Sequence, residues 1–172
     1  VLRAGERAKD LVSQILSFSR QKTQEFKPIK IAPVVREAVK LLRASLPATI
    51  AITVNIDDED MVIEADPSQI HQVLMNLCAN AAHAMRDRGG LLEISLAPVV
   101  LGVSGTPVHP DLTPGDYLLL RVKDNGHGMS PEIMERIFEP YFTTKQEGEG
   151  TGLGLAVIHG IIKRHGGGIT VE

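Results

Sequence analysis
Glycine recurs in two clusters between Asp124 and Leu155, and this constrains the fold more than any other feature of the chain. The first cluster reads Asp124-Asn125-Gly126-His127-Gly128-Met129. The second reads Gly148-Glu149-Gly150-Thr151-Gly152-Leu153-Gly154-Leu155. Glycine reaches φ > 0 without a steric penalty and lets backbone approach a ligand closely. The second cluster runs directly into an apolar helical pattern, Leu155 to Ile162. A glycine loop feeding a helix N-terminus presents free N–H groups and a positive dipole end, which favours phosphate. Taken from the residues alone, the region is either a nucleotide pocket or a pair of surface turns.

Composition narrows the class. A chain of 172 residues suffices for one domain and a short appendage. It is 43% hydrophobic but only 3% aromatic, so its core must be aliphatic. The formal net charge of -3 argues against a nucleic-acid footprint. The one cysteine, Cys78, sits in an apolar run and reads as a small buried hydrophobe, with no disulfide or zinc spacing around it. No apolar run reaches membrane-spanning length, and no signal-peptide pattern opens the chain. The expectation is a cytoplasmic, non-spanning piece, excised at Val1 from a parent that is itself free to be membrane-anchored.

In chain order, Val1, Ala4, Ala8, Leu11, Ile15 and Phe18 follow a heptad seam. Residues 1–27 therefore read as the end of a helical dimerisation module, packed on its own domain or on a second chain, with Pro28 as a hinge. A helix follows from Pro33 to Pro47. Ile50 to Ile56 alternates as a half-buried strand. Asp57-Asp58-Glu59-Asp60 is an acidic turn, either a solvated hairpin tip or a cation site, with Met61 to Ala65 as the return strand. Asp66-Pro67-Ser68-Gln69 resembles a capping box and starts a helix to about Arg86. Its core face is Ile70, Val73, Leu74, Leu77, Ala81, Ala84 and Met85. Asn76 and Asn80 share a stripe beside that face, with His83 one turn further. Asparagines there need partners, supplied by neighbouring loops or by a phosphate-bridging Mg²⁺ held through oxygen. Leu91 to Val100 is a strand, and Leu101 to Gly115 a loop. Tyr117 to Val122 is a strand apolar enough to be central, delivering Asp124 at its C-terminal end. Ser130 caps a short helix, Pro131 to Phe138. Residues 143–150 form a segment suited to closing over a ligand. A helix over 152–165 and a strand from Ile169 complete the chain.

Four blocks in this order resemble the ATP-binding domain of two-component sensor histidine kinases, within the ATPase superfamily that includes gyrase and mismatch-repair proteins. Gln72 to Ala81 resembles the N box and Asp124 to Met129 the first glycine box. Phe138-Glu139-Pro140-Tyr141-Phe142-Thr143-Thr144-Lys145 resembles the F box, and Gly150 to Leu155 the second glycine box. The resemblance spans about residues 28–172. Residues 6–20 are also similar to the second helix of the family's dimerisation and phosphotransfer domain.

This resemblance implies an α+β fold of Bergerat type: a two-layer sandwich of a mixed, mostly antiparallel sheet with three helices on one face, preceded by an N-terminal helix. It implies ATP and Mg²⁺ as cofactors. Asp124 would accept from the adenine amino group, with Gly126, Gly128 and Met129 against the base. Asn80 would hold Mg²⁺, with Asn76 on the same stripe. His83 would contact phosphate, or face solvent. Gly150, Thr151, Gly152, Leu153, Gly154 and Leu155 would cradle the phosphates. Thr144 and Lys145 would add polar contact and mobile charge, the lysine alternatively lying exposed. Gyrase-like relatives carry a glutamate base where this chain has Asn76. That difference favours phosphoryl transfer to another group over hydrolysis. Asn76 and Lys145 are the residues implied in catalysis. None of the six histidines is followed by an acidic residue, so the phosphoacceptor is expected upstream of Val1, and a final strand beyond Glu172. Implied partners are a response-regulator receiver domain, the protein's own phosphotransfer helix, and a second copy in a homodimer. The competing readings are a gyrase-like ATPase and a regulatory nucleotide-binding or dimerisation module without chemistry.

Overall fold
The computed structural model describes residues 26–102, 112–146 and 150–172. The heptad seam of the N-terminal helix therefore lies outside the described residues. So do 103–111 of the long loop and 147–149 of the second glycine cluster. The elements are β1 (Lys27–Lys30), α1 (Ile31–Ser45), β2 (Ile50–Ile56), β3 (Val62–Ala65), α2 (Pro67–Ala84), β4 (Gly90–Leu101), β5 (Gly115–Asp124), α3 (Pro131–Met134) and α4 (Gly154–Arg164).

Strand β4 is the centre of a three-stranded sheet, parallel to β2 and antiparallel to β5. Leu92 lies opposite Asp124, and Ile50 opposite Gly90. Strands β1 and β3 form a separate antiparallel pair, with Lys27 opposite Ala65. Alternation along β4 buries Leu92, Ile94 and Leu96 beneath the helices. The other face carries Glu93 and Ser95 opposite Lys123 and Arg121. One covered face and one polar face make the two-layer sandwich expected from the sequence.

Several local expectations are corrected. Segment 61–65 does not return along β2. It pairs with β1, because β2 gives its edge to β4 in parallel register. The acidic turn is tied to basic groups ahead of it. Lys30 Nζ lies 2.6 Å from Asp60 Oδ1, and Arg36 bridges Glu59. The Lys30 hydrogen bond also holds the Asp60 carboxyl below its usual range. Both pairs are exposed, so they steer the turn more than they stabilise it. Strand β5 is not central, since β4 takes that place in the three-stranded order. Pro28 is no hinge but part of β1 opposite Glu64, where an edge strand tolerates a missing N–H. The helix from Pro131 closes after Met134, and residues 169–172 form no strand among the described residues. Ser130 sits at the N-cap of α3 without a side-chain cap bond. Its hydroxyl instead hydrogen-bonds the Glu132 carboxyl and lowers that group's pKa.

Helix α2 organises the packing. Asp66 Oδ1 accepts from Ser68 N at 2.9 Å and from Ser68 Oγ at 2.6 Å, and Pro67 occupies the first turn. Leu74, Cys78, Ala81 and Met85 join Val35, Ala38 and Leu42 of α1 and Leu92, Ile94 and Leu96 of β4 in the main core. On its other flank Val73 meets Ile158 and Ile161 of α4 in a smaller cluster, which Leu120 and Ile169 extend. Each fully buried aliphatic side chain contributes about 1.5–3 kcal/mol.

Burial pushes the Cys78 thiol from its ordinary value of 9.0 up to about 12. A raised thiol pKa favours the neutral form, so its contribution is intact below 9 and declines as pH rises through that range. Iodoacetamide is expected to leave the folded chain unmodified at pH 8 and to alkylate it in denaturant. Stoichiometric labelling of folded protein, read by mass spectrometry, would contradict the buried position.

Candidate functional site
The polar stripe of α2 forms the floor of the site. Asn76, Asn80 and Ala84 follow one another at four-residue spacing, so 76 to 84 spans about 12 Å along the helix. The two asparagines are half-buried, as is His83 in the last turn. Each level of the stripe meets a different glycine segment.

At the Ala84 end lies the loop after β5. Asp124 ends that strand, and its Oδ1 accepts from Gly126 N at 2.9 Å. This closes a tight turn while the carboxylate stays exposed to solvent. A side chain at Gly126 would meet Ala84 Cβ at 2.6 Å and its carbonyl carbon and oxygen at 2.8 Å. His127 N donates to Ala84 O at 3.3 Å. Glycine is therefore required at 126 by close approach to α2. Gly128, at φ 68°, has open space around it, and Met129 is 43% exposed beside it. Asn125 Oδ1 accepts from Leu91 N at 2.8 Å, fixing the loop to the start of β4. Sequence reading gave Asn125 no role. The only signal was an asparagine within a glycine turn, where such side chains bond backbone.

At the other end, α4 begins above Asn76. A Cβ at Gly154 would lie 3.5 Å from Asn76 Oδ1. Leu153 at the N-cap offers no capping side chain, so the first-turn N–H groups of α4 remain available to an anion. Leu155 turns into the smaller core cluster instead and anchors the helix. Thr151 Oγ1 accepts from Leu153 N at 3.4 Å and holds the approach to the helix. Gly152, at φ 67°, presses on the backbone of Tyr141, whose N–H donates to Gly152 O at 3.0 Å. Tyr141 itself has φ 69°, a rare conformation for a side-chain-bearing residue. The F-box segment and the second glycine segment are thus joined through paired left-handed residues.

Lys145 closes the middle. Its Nζ donates to Asn80 Oδ1 at 3.0 Å. Thr143 Oγ1 accepts from Lys145 N at 3.2 Å, and Gly150 packs against both Lys145 and Thr143. Thr144 is exposed between them. An ammonium group on the Asn80 oxygen shows that this oxygen faces a place where a cation is favourable. That fits the oxygen donor expected of a Mg²⁺ site. Among the described residues no group of three His, Cys, Asp or Glu side chains could hold a metal. The arrangement suits an ion that takes its remaining ligands from phosphates and water.

Residues 65–172 match the family model described as histidine kinase-, DNA gyrase B-, and HSP90-like ATPase. The chain is similar to the sensor kinase CckA of Brucella abortus, 36% identical over 161 residues, covering 94% of this chain and 17% of CckA. It is similar to the catalytic domain of histidine kinase ThkA, with a TM-score of 0.63, 29% identity and 82% of each chain covered. It also resembles ThkA in a complex with the response regulator protein TrrA, at a TM-score of 0.66 and 26% identity, covering 94% of this chain and 42% of that one. The chain thus spans less than a fifth of the length of CckA.

Gly126→Ala and Gly152→Ala are expected to destabilise the fold by about 1–3 kcal/mol each, through overlap with Ala84 and Tyr141. Gly160→Ala, with open space around a helix-interior position, is expected to stabilise it by about 0.5–1 kcal/mol. Urea unfolding of the three variants checks the order. Equal effects at 126 and 160 would contradict the close approach of the loop to α2.

Proposed function
The chain belongs to the histidine kinase-, DNA gyrase B- and HSP90-like ATPase family, and from that premise we propose that it binds ATP with Mg²⁺ for phosphoryl transfer to a histidine. The carrying observation is the Lys145–Asn80 hydrogen bond between two glycine segments seated on one helix. It brings together an oxygen donor for a cation, a mobile positive charge and a helix N-terminus. The base lies at the Asp124 end, where the carboxylate accepts from the adenine amino group and Gly126 and Gly128 leave room for the ring. The phosphates lie toward α4, over Gly150, Thr151, Gly152, Leu153 and Gly154.

Asn80 is the residue that would hold Mg²⁺, which would supply charge neutralisation at the phosphates. With nucleotide bound, Lys145 would turn from Asn80 to a phosphate oxygen. Asn76 faces the first residue of α4 and cannot take a proton from water. This favours transfer to a separate acceptor over gyrase-like hydrolysis. The acceptor in this reading is a histidine on the protein's own phosphotransfer helix. A receiver-domain aspartate takes the phosphoryl group next. The ThkA structure with its regulator offers an analogy for that partner. Homodimerisation through the heptad seam of Val1 to Phe18 and a cytoplasmic location, where ATP is supplied, complete the reading. No helix among the described residues is long and apolar enough to cross a membrane.

Calorimetric titration with a non-hydrolysable ATP analogue tests the proposal. Saturable, Mg²⁺-dependent binding is expected. Asp124→Asn should weaken it roughly 10–100-fold by removing a charged acceptor. Asn80→Ala should abolish most of the difference between titrations with and without Mg²⁺. A Mg²⁺ dependence that survives Asn80→Ala would overturn the metal assignment. Absence of binding in a folded sample would overturn the nucleotide site.

A further inference from the structure
One donor at the N-cap of α2 is taken by a distant histidine, while the residue whose sequence position suits it is left without a donor. Asp66 N lies 3.4 Å from His165 Nε2, at the C-terminal end of α4. That nitrogen accepts only in a neutral ring with its proton on Nδ1. Nδ1 lies 2.9 Å from Ile161 O, where that proton is donated. The Phe26 ring rests on the imidazole at 4.6 Å between centroids. His165 therefore joins α4, the N-cap of α2 and the chain entering β1.

Gln69 is the acceptor that the sequence pattern offers for the same N–H. It occupies the third helical position of the Asp66-Pro67-Ser68-Gln69 pattern, from which a capping-box side chain reaches back to the N-cap N–H. Here Gln69 is buried, 8% exposed, and its Oε1 has no hydrogen-bond partner among the described residues. A buried acceptor without a donor is costly and needs a reason. His165 holds the N–H that a glutamine at this position of a capping box would receive.

We propose that His165 is a positioning residue that exchanges with Gln69 for the Asp66 N–H, giving a joint with two states. In one state Phe26 rests on His165, and α4 is tied to α2. In the other the ring is withdrawn, Gln69 completes the capping box, and the C-terminal end of α4 is released. Because Gly152 and Gly154 lie at the opposite end of α4, the Phe26 contact can bias the phosphate loop through this joint. That consequence rests on the nucleotide reading above, whereas the joint does not.

A double-mutant cycle on urea unfolding of the 172-residue chain tests it. In the parent chain Gln69→Met removes an orphaned acceptor, so the midpoint should stay or rise. In the His165→Phe background, which keeps the ring contact and loses the acceptor, Gln69 holds the N–H. There Gln69→Met should lower the folding constant about tenfold. This reversal of sign supports the joint, and equal effects in the two backgrounds overturn it. Should His165→Phe not fold, His165→Ala carries the same cycle. Histidine ¹⁵N spectra give a readout that a packing role alone does not move. His165 should carry its proton on Nδ1, and Phe26→Ala should shift it toward mixed tautomers. A parent ring protonated on Nε2 would overturn the proposal. If the nucleotide reading fails, the ATP analogue does not bind and the reversal remains. If the joint fails, the reversal vanishes and binding remains.

Discussion
Everything in this domain hangs on the contact between α2 and the central strand β4. Leu74, Cys78, Ala81 and Met85 pack on Leu92, Ile94 and Leu96, and α1 and α4 find their places against the same helix. Once that stripe is buried, helical geometry leaves Asn76, Asn80 and Ala84 no choice of direction. They form a second stripe at the edge of the core, half in contact with loops. The site is a by-product of core packing in this sense. A residue that loosens the α2–β4 contact would displace both glycine segments without touching either.

The glycines serve two different ends. At 126 and 152 they permit contact between backbones that a Cβ would separate, and so they fix where the loops run. At 128 there is open space, and the glycine supplies only its left-handed conformation. Lys145 is of another kind. Its stem packs on Gly150 while its ammonium lies on Asn80. In the proposed site the same oxygen would serve a metal ion. The arrangement links the F-box segment to Asn80 of α2 through one side chain.

Much of the site could be read from residue order. Lys145 lies on Asn80 and Gly154 beside Asn76, while Gly126 next to Asp124 presses on Ala84 of the same helix. They could be read because their spacing is local: four residues apart on one helix, or consecutive in one turn. The capping of α2 by Asp66 was local in the same way. Strand pairing was not. Whether 62–65 turns back on β2 or crosses to β1 depends on which strand claims the edge of β2, and no nearby residue encodes that. Pro28 reads as a breaker in sequence and as an edge-strand residue in the fold for the same reason. The left-handed Tyr141 was equally hidden, since its conformation is set by Gly152, eleven positions away. The acceptor left bare on Gln69 is visible only when His165 is seen against the N-cap.

In the proposed reading this pocket holds ATP without activating water, because the position suited to a general base is Asn76. The direct test is the fate of the γ-phosphoryl group when the chain is incubated with saturating [γ-³²P]ATP and Mg²⁺. The expected result is bound nucleotide whose label stays in ATP, with inorganic phosphate no higher than in a protein-free control. Sustained release of labelled phosphate over many turnovers, lost in Asn80→Ala, would mean that water is the acceptor and that the domain is a hydrolase.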